Sequence, residues 1–261
     1  MSEINNAATV KKQYGTSDNL STRISIHAKY STNKQGFGNW ITEHYDIRDG
    51  MKILELGCGT GDMWKGKEEL IGKCDKLVLS DFSDGMLQKT RETLGDNPKI
   101  RYEVIDIQDI PYVDNEFDIV IANMMLYHVP DLMKGLQEVK RVMKDGGVFY
   151  CATFGEYGIL EYIHDLLKDY VAPGQANKNF TLQNGAEKLS KVFADVKSDK
   201  YEDSLAVTEI DDLVDYVYSL AGMSELQSLP REMVRDVLSG HMVDGVLKVP
   251  KDYGMFIAHN E

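Results

Sequence analysis

The chain has few cysteines and no long apolar run. Its 261 residues include only Cys58, Cys74 and Cys151, which lie far apart and form no CxxC pair. This spacing argues against a disulfide framework and against a thiolate zinc site. No run of about 18 apolar residues occurs, and the polar N-terminal stretch "MSEINNAATVKKQYG" lacks the apolar core of a signal peptide. We therefore expect a reducing, cytoplasmic location and no membrane partner.

Basic residues are scarce relative to acidic ones, with 29 Lys and Arg against 42 Asp and Glu and a net charge of −13. Such a charge repels a phosphate backbone unless a local basic face offsets it. The densest basic stretches, 65–76 and 188–200, are interleaved with Glu and Asp. Nucleic acid is therefore a disfavoured partner, although charge alone does not exclude a transfer RNA. No His and Asp cluster has ligand spacing, so we expect no metal.

The hydrophobic pattern over the first 155 residues alternates between short apolar runs and amphipathic stretches. Five nearly continuous apolar runs predict strands buried on both faces, at 52–57, 76–81, 100–106, 117–123 and 146–154. The stretches between them have helical spacing, as in Leu132, Leu136, Val139 and Val142. Strands that alternate with helices predict an α/β fold with a doubly wound parallel sheet.

Beyond residue 155 the pattern is less regular, and it adds four helices, an extended segment and a final strand. The helices are predicted over 156–171 (ended by Pro173-Gly174), 183–196, 209–220 and 230–242, the extended segment over 196–207, and the strand over 253–260. No linker or repeat separates these elements from the rest. We therefore predict one domain over 1–261, with cap helices in 1–50, a core in 51–155 and substrate-side additions in 156–261.

The stretch "ILELGCGTGD" (53–62) places three glycines, Gly57, Gly59 and Gly61, between a predicted strand and a predicted helix. Glycine tolerates positive φ and has no Cβ, so such a turn can bring its N–H groups close to a ligand. An ordinary turn is the alternative. The dinucleotide fingerprint GxGxxG would need glycine at position 62, where this chain has Asp62. A nicotinamide dehydrogenase is therefore disfavoured, and the additional acid suits a cationic ligand.

"LELGCGTGD" resembles motif I of the class I S-adenosylmethionine-dependent methyltransferases, in particular the small-molecule enzymes of the type 11-like group. Further segments resemble the later motifs in order and spacing over about residues 23 to 155, namely "LSDFSDGML", "VIDIQDIPY", "FDIVIANMMLYHVPD" and "VKRVMKDGGVFYCATF". The resemblance implies a Rossmann-like, seven-stranded sheet, mostly parallel with the last strand antiparallel. It also implies S-adenosylmethionine as cofactor and S-adenosylhomocysteine as product.

The resemblance assigns cofactor contacts to the ends of the first two strands. The loop Gly57, Cys58, Gly59 and Gly61 would meet the cofactor. Glu55 would accept hydrogen bonds from the loop amides and oppose the cationic amino and sulfonium groups. Asp81, twenty-four residues after Gly57, would bind both ribose hydroxyls, because a carboxylate has two oxygens for two donors. Phe82 and Met86 would flank the adenine or, alternatively, pack in the core.

The next two strands and the N-terminal segment carry further implied contacts. Asp106, with Asp109 as the alternative, would accept the adenine amino group, and the backbone of Ile107 would meet the ring. Asn123 would lie beneath the methionine portion. "TRISIHAKYSTNKQGFGNWI" resembles the family's N-terminal helix, where Arg23 and His27 share a helical face. Arg23 is a candidate partner for the cofactor carboxylate, and a surface arginine beside a packed histidine is the alternative.

His128 follows the fourth predicted strand, at the carboxyl edge where open α/β sheets bind ligands. It is the candidate general base for an acceptor that loses a proton, and Tyr127 is the neighbouring alternative. A structural histidine is equally compatible with the sequence.

The sequence as a whole predicts a methyltransferase with a small-molecule acceptor. A protein or transfer RNA acceptor and a non-catalytic S-adenosylmethionine-binding regulatory module stay open. A homo-oligomer is compatible with the sequence, but no pattern indicates one.

Overall fold

The computed structural model describes residues 17–171, 178–220 and 225–260. The chain divides into two compact units. We call residues 37–153, 179–200 and 254–261 the sheet unit, and residues 1–36, 154–178 and 201–253 the helical unit. Whether the two units form the single domain predicted from the sequence depends on how they associate, so the single domain stays a prediction.

The sheet unit is built around a seven-stranded sheet of order β3-β2-β1-β4-β5-β9-β6. The strands are β1 (Lys52–Leu56), β2 (Lys76–Asp81), β3 (Ile100–Val104), β4 (Phe117–Ile121), β5 (Met143–Phe154), β6 (Asp195–Tyr201) and β9 (Tyr253–His259). The pairs β1–β2, β2–β3, β1–β4 and β4–β5 are parallel. The mostly parallel Rossmann-like sheet predicted from the sequence is confirmed.

Five helices belong to the sheet unit: α2 (Phe37–Glu43), α3 (Glu68–Lys73), α4 (Asp84–Leu94), α5 (Leu132–Val142) and α7 (Gly185–Leu189). The predicted apolar stripe of α5 is buried, and the Asp131 side chain caps this helix by accepting from Lys134 N at 3.0 Å. The stretch 61–73 is a 3-10 turn (Asp62–Trp64) followed by the short helix α3. Gly66 lies between them with φ of +72°, a value that L-residues rarely adopt.

The strand order reverses between β2–β1 and β4–β5, so the carboxyl ends of β1, β2 and β4 lie at a topological switch point. Open α/β sheets bind ligands in the crevice at such a point. The loops that follow these strands contain the glycines, the Asp81 region and the segment after Ile121. The fold therefore brings the predicted site residues of the sheet unit to one edge.

The helical unit contains α1 (Ser17–Tyr30), α6 (Ile159–Leu167), α8 (Ile210–Ser219), α9 (Arg231–Gly240) and an antiparallel pair of strands, β7 (Ser204–Val207) and β8 (Leu247–Pro250). Its own apolar cluster includes Ile26, Ile163, Val217 and Leu238. The late helices are confirmed with shorter bounds, whereas β8 was not predicted because four residues ending in proline give a weak strand pattern. Pro173-Gly174 and residues 1–16 lie outside the described residues. Within the described ranges, no helix combines the length and apolarity of a membrane span.

Candidate functional site

The three glycines of the loop all have positive φ, but the space around them differs. A Cβ on Gly57 (φ +75°) would lie 2.9 Å from Met125 Cγ, and one on Gly61 (φ +77°) would lie 2.7 Å from Thr90 Cγ2. At Gly59 (φ +59°) a Cβ would meet no atom within 4 Å. The outer glycines therefore permit close packing, whereas the middle one lines open space that a ligand can fill.

Thr90 fixes the glycine loop from helix α4. Its buried Oγ1 donates to Gly59 O at 2.7 Å and lies 3.6 Å from Cys58 Sγ. Cys58 N donates to Ser80 O at 2.8 Å, which anchors the loop to β2. Sequence reasoning missed Thr90, since a threonine in a helix carries no motif; the only signal is its position on the helix that follows Asp81.

Asp81 is the last residue of β2, and its side chain accepts a hydrogen bond from the backbone of the glycine loop. Its Oδ2 accepts from Gly59 N at 3.0 Å, and its Oδ1 accepts from Ser83 N at 2.8 Å. Burial raises the pKa of this carboxyl, and these backbone donors partly oppose the shift. Because each carboxylate oxygen has two lone pairs, both can accept a further hydrogen bond. This geometry suits two vicinal hydroxyl donors beside the glycine loop.

Glu55 is buried in β1 and bonded within the protein. Its Oε2 accepts from Trp64 Nε1 at 2.6 Å, so its donor is an indole rather than the loop amides that the resemblance implied. Burial raises the pKa of Glu55 to about 7, and the charge of Asp81 adds to the shift while the Trp64 bond opposes it. Trp64 was not predicted as a partner, because the sequence does not show which way the 3-10 turn faces.

The residues predicted on the adenine side differ in exposure. Phe82 is 45% exposed, whereas Met86 is only 3% exposed, and the adenine contact stays a prediction for both. Asp106 Oδ1 accepts from Gln108 N at 2.9 Å and from Gln108 Nε2 at 3.1 Å, which fixes the carboxylate. Ile107 is buried against helix α5. Asp109 is exposed, and its N–H donates to Asp106 O.

The end of β4 is rigidly bonded. Asn123 Nδ2 donates to Tyr45 Oη at 2.6 Å, and Asn123 Oδ1 accepts from Ala152 N at 3.1 Å. The next residue, Met124, has φ of +54°, which is uncommon for a residue other than glycine. Met125 then packs beside Gly57. Strained backbone of this kind concentrates at ligand sites, and it reinforces the placement of a site at this edge.

His128 ends the 3-10 turn Leu126–His128, and its ring centroid lies 4.5 Å from that of the buried Tyr127. Arg23 and His27 lie on α1 of the helical unit, while the loop and the strand ends belong to the sheet unit. The roles of Arg23 and His128 stay predictions. Among the described residues, no group of three or more His, Cys, Asp or Glu side chains could hold a metal ion.

The sequence of this region was compared with known protein families. Residues 54–151, from β1 to β5, match the type 11 family described as a methyltransferase domain. Residues 54–151 are therefore similar to a methyltransferase domain, over less than half of the chain. The resemblance seen in the sequence is confirmed, and the cofactor of that class is S-adenosylmethionine. The matched segment contains the glycine loop, Asp81, Asp106 and Asn123.

One curated relative of this methyltransferase domain is the demethylmenaquinone methyltransferase of Staphylococcus aureus. It is 34% identical over 111 residues, which are 42% of this chain and 46% of the relative. The chain thus spans about half the length of that relative.

Two solved structures share the fold. One is a Bacillus halodurans protein assigned provisionally to the methyltransferases (TM-score 0.58, 14% identity, 86% of this chain and 98% of the other). The other is the [4+2]-cyclase SpnF (TM-score 0.57, 14% identity, 97% and 96%).

Proposed function

We propose that the chain is an S-adenosylmethionine-dependent methyltransferase that acts on a small-molecule acceptor. The observation that carries this proposal is the pairing of Gly59 with Asp81. The Gly59 position faces open space, its amide is bonded to the carboxylate, and both carboxylate oxygens retain acceptor capacity. The residues present therefore fit a ligand with a ribose diol held against a glycine loop.

The ribose, the adenine and the cationic groups of the cofactor have candidate partners in the sheet unit. Asp81 would accept from the ribose hydroxyls, and the exposed ring of Phe82 would contact the adenine. Asp106, held by Gln108, would accept from the adenine amino group. Glu55 would oppose the cationic groups from within β1, with its carboxylate oriented by Trp64.

The cofactor supplies a methyl group already activated by a sulfonium, with a neutral thioether as leaving group. The chain's part is to align the acceptor and exclude water, and orientation of this kind is worth about 7–11 kcal/mol. His128, at the carboxyl edge after β4, would take the proton of a hydroxyl, thiol or protonated amine acceptor. A carbon nucleophile that loses no proton beforehand would not need it.

The small-molecule acceptor is supported by the Staphylococcus relative, whose name specifies a quinone. The shared fold does not determine the reaction, since SpnF is a cyclase. The alternatives are a protein or transfer RNA acceptor and a regulatory, non-catalytic role, and the experiment below tests each of them. The net charge of −13 disfavours the transfer RNA arm.

The test is an acceptor panel that follows S-adenosylhomocysteine formation by the full chain. The panel contains quinols, phenols, thiols and amines, with bulk transfer RNA and a protein extract as separate arms. We expect product only in a small-molecule arm. Product only with RNA or protein would overturn the acceptor class, and cofactor binding without product in any arm would favour the regulatory role. With an acceptor in hand, His128→Ala should lower turnover by about 10²–10⁴-fold and leave cofactor affinity unchanged.

A further inference from the structure

The helical unit places polar aromatic side chains inside its apolar cluster. Tyr216 on α8 is 8% exposed, and its ring lies 6.5 Å from that of His27 on α1, edge to face. The His27 ring also lies 5.9 Å from the ring of Tyr253. Elements that are distant in sequence thus bring two tyrosine rings against the His27 ring.

The polar atoms of two of these rings are left unsatisfied by the protein. His27 Nδ1 is buried and has no hydrogen-bond partner among the described residues. Within the same ranges, the Tyr216 hydroxyl makes no hydrogen bond. Other tyrosines of the unit are satisfied, since Tyr30 donates to Asp212 at 2.5 Å and Tyr218 donates to Leu229 O. Because buried polar groups are nearly always bonded, His27 Nδ1 is an exception that a ligand can satisfy, and the nearby Tyr216 hydroxyl has no protein partner that would compete for the same ligand.

One positive and one negative side chain act on His27 in opposite directions. Behind His27, Lys251 forms a buried ion pair with Asp203, donates to Ser31 Oγ at 3.0 Å and lies over the Tyr253 ring. Burial lowers the pKa of His27 to about 4, and the charge of Lys251 adds to the effect while Asp203 opposes it. The imidazole is therefore neutral at pH 7.

Two further charges act on the Tyr216 hydroxyl. Burial raises the pKa of this hydroxyl; Arg23 on α1 lowers that pKa and Glu161 on α6 raises it further. Arg23 and Glu161 thus oppose each other at Tyr216, as Lys251 and Asp203 do at His27, and these opposed pairs favour an uncharged ligand.

We propose that His27 and Tyr216 bind an uncharged aromatic small molecule through its hydroxyl group. The Tyr216 hydroxyl and His27 Nδ1 supply the two hydrogen-bonding atoms, and the rings of Tyr216 and Tyr253 contact the aromatic body. The binding of such a molecule does not depend on the proposed function, because it is measured without methyl transfer.

The experiment uses the full chain with selectively ¹³C-labelled histidine and 1-naphthol as probe. Naphthalene-1-sulfonate, with the same ring system and a fixed negative charge, is the matched control ligand. We expect naphthol to shift the His27 resonance, assigned by its loss in His27→Gln, and the sulfonate to leave that resonance unmoved. If naphthol leaves His27 unmoved at millimolar concentration, or if the sulfonate binds equally well, the proposal is overturned.

A pair of variants on the same helix separates a bound hydroxyl from packing. Tyr216→Phe removes only the orphan hydroxyl, and Tyr218→Phe removes a hydroxyl that the protein already satisfies. We expect Tyr216→Phe to weaken naphthol by about three- to tenfold and Tyr218→Phe to leave its affinity unchanged, in calorimetric titrations of folded proteins. Equal affinities in both variants would contradict the proposal, and the wild-type His27 shift decides it if Tyr216→Phe fails to fold. Titration of S-adenosylmethionine into the same preparation tests the proposed function separately.

Discussion

The carboxyl edge of the sheet and the rings around His27 differ in how the polar groups named here are bonded. At the carboxyl edge of the sheet, Glu55, Asp81 and Asn123 each bond to another protein group. In the helical unit, His27 Nδ1 and the Tyr216 hydroxyl have no partner within the described residues. We infer that the first region is preorganised for a constant ligand, whereas the second leaves its hydrogen bonds to a ligand.

The largest expected effect comes from filling the open space of the sheet unit. Gly59→Val would place two methyl groups where the cofactor is proposed to lie, and we expect affinity for S-adenosylmethionine to fall by about a hundredfold or more, or about 3 kcal/mol, in calorimetry. Gly66→Val is the matched control, because Gly66 also has positive φ and open space around its Cβ position. Both variants should lose about 1–2 kcal/mol of stability from backbone strain. If both also lost cofactor affinity equally, the loop would be a structural turn only.

The next effect concerns the carboxylate that joins the loop to the ligand. Asp81→Ala should weaken S-adenosylhomocysteine binding by about ten- to a hundredfold, because loss of the charged acceptor of the ribose hydroxyls should cost about 1.5–3 kcal/mol in total. Asp84→Ala, an exposed carboxylate in the first turn of α4, should leave the affinity unchanged. A ribose-free adenine fragment should bind both variants alike. Equal losses for the fragment and the whole cofactor would remove Asp81 from ribose recognition.

Glu55 gives a pH-dependent effect of similar or smaller size. Its folded pKa of about 7 lies above the ordinary value of 4.5, so the folded state binds a proton more tightly. The stabilisation from this proton is complete below about pH 4.5 and is lost as pH rises through about 7. We expect Glu55→Gln to remove a stability loss on the order of 1–3 kcal/mol between pH 5 and pH 8, measured by denaturant unfolding against wild type.

The control for this titration is Glu68→Gln, which changes an exposed carboxylate at the start of α3. Its unfolding curve should follow wild type across the same pH range. A Glu55→Gln curve that runs parallel to wild type would show that another group governs the pH dependence.

The sequence predicts those parts of the fold that depend on a pattern of neighbouring residues. The five apolar runs and the glycine spacing located β1 to β5 and the loop, because buried parallel strands and tight turns leave continuous signals along the chain. Partners that meet only in three dimensions left no such signal. Trp64 reaches Glu55 through a 3-10 turn that read as helix, and Thr90 reaches the loop from the next helix. The orphan groups at His27 and Tyr216 depend on the packing of three separate elements.

Substitutions of Thr90 are expected to give the smallest effect. They distinguish the contribution of its hydroxyl from that of its methyl group. Thr90→Val keeps the shape but leaves Gly59 O without its donor, so we expect about three- to tenfold weaker cofactor binding. Thr90→Ser keeps the hydroxyl and should restore most of the affinity. Thr93→Val on the same helix removes a hydroxyl bonded only to Lys89 O, and it should bind like wild type. Weaker binding in Thr93→Val as well would mean that helix stability, not loop position, sets the affinity.

The most direct test of the central claim is a calorimetric titration of S-adenosylmethionine into the wild-type chain and into Gly59→Val. The Gly59–Asp81 geometry predicts a one-to-one binding isotherm for wild type and binding weaker by about a hundredfold or more for the variant, while the helical circular dichroism signal of both proteins is the same. No heat with wild type at millimolar cofactor, or an unchanged isotherm in a folded Gly59→Val protein, would contradict it.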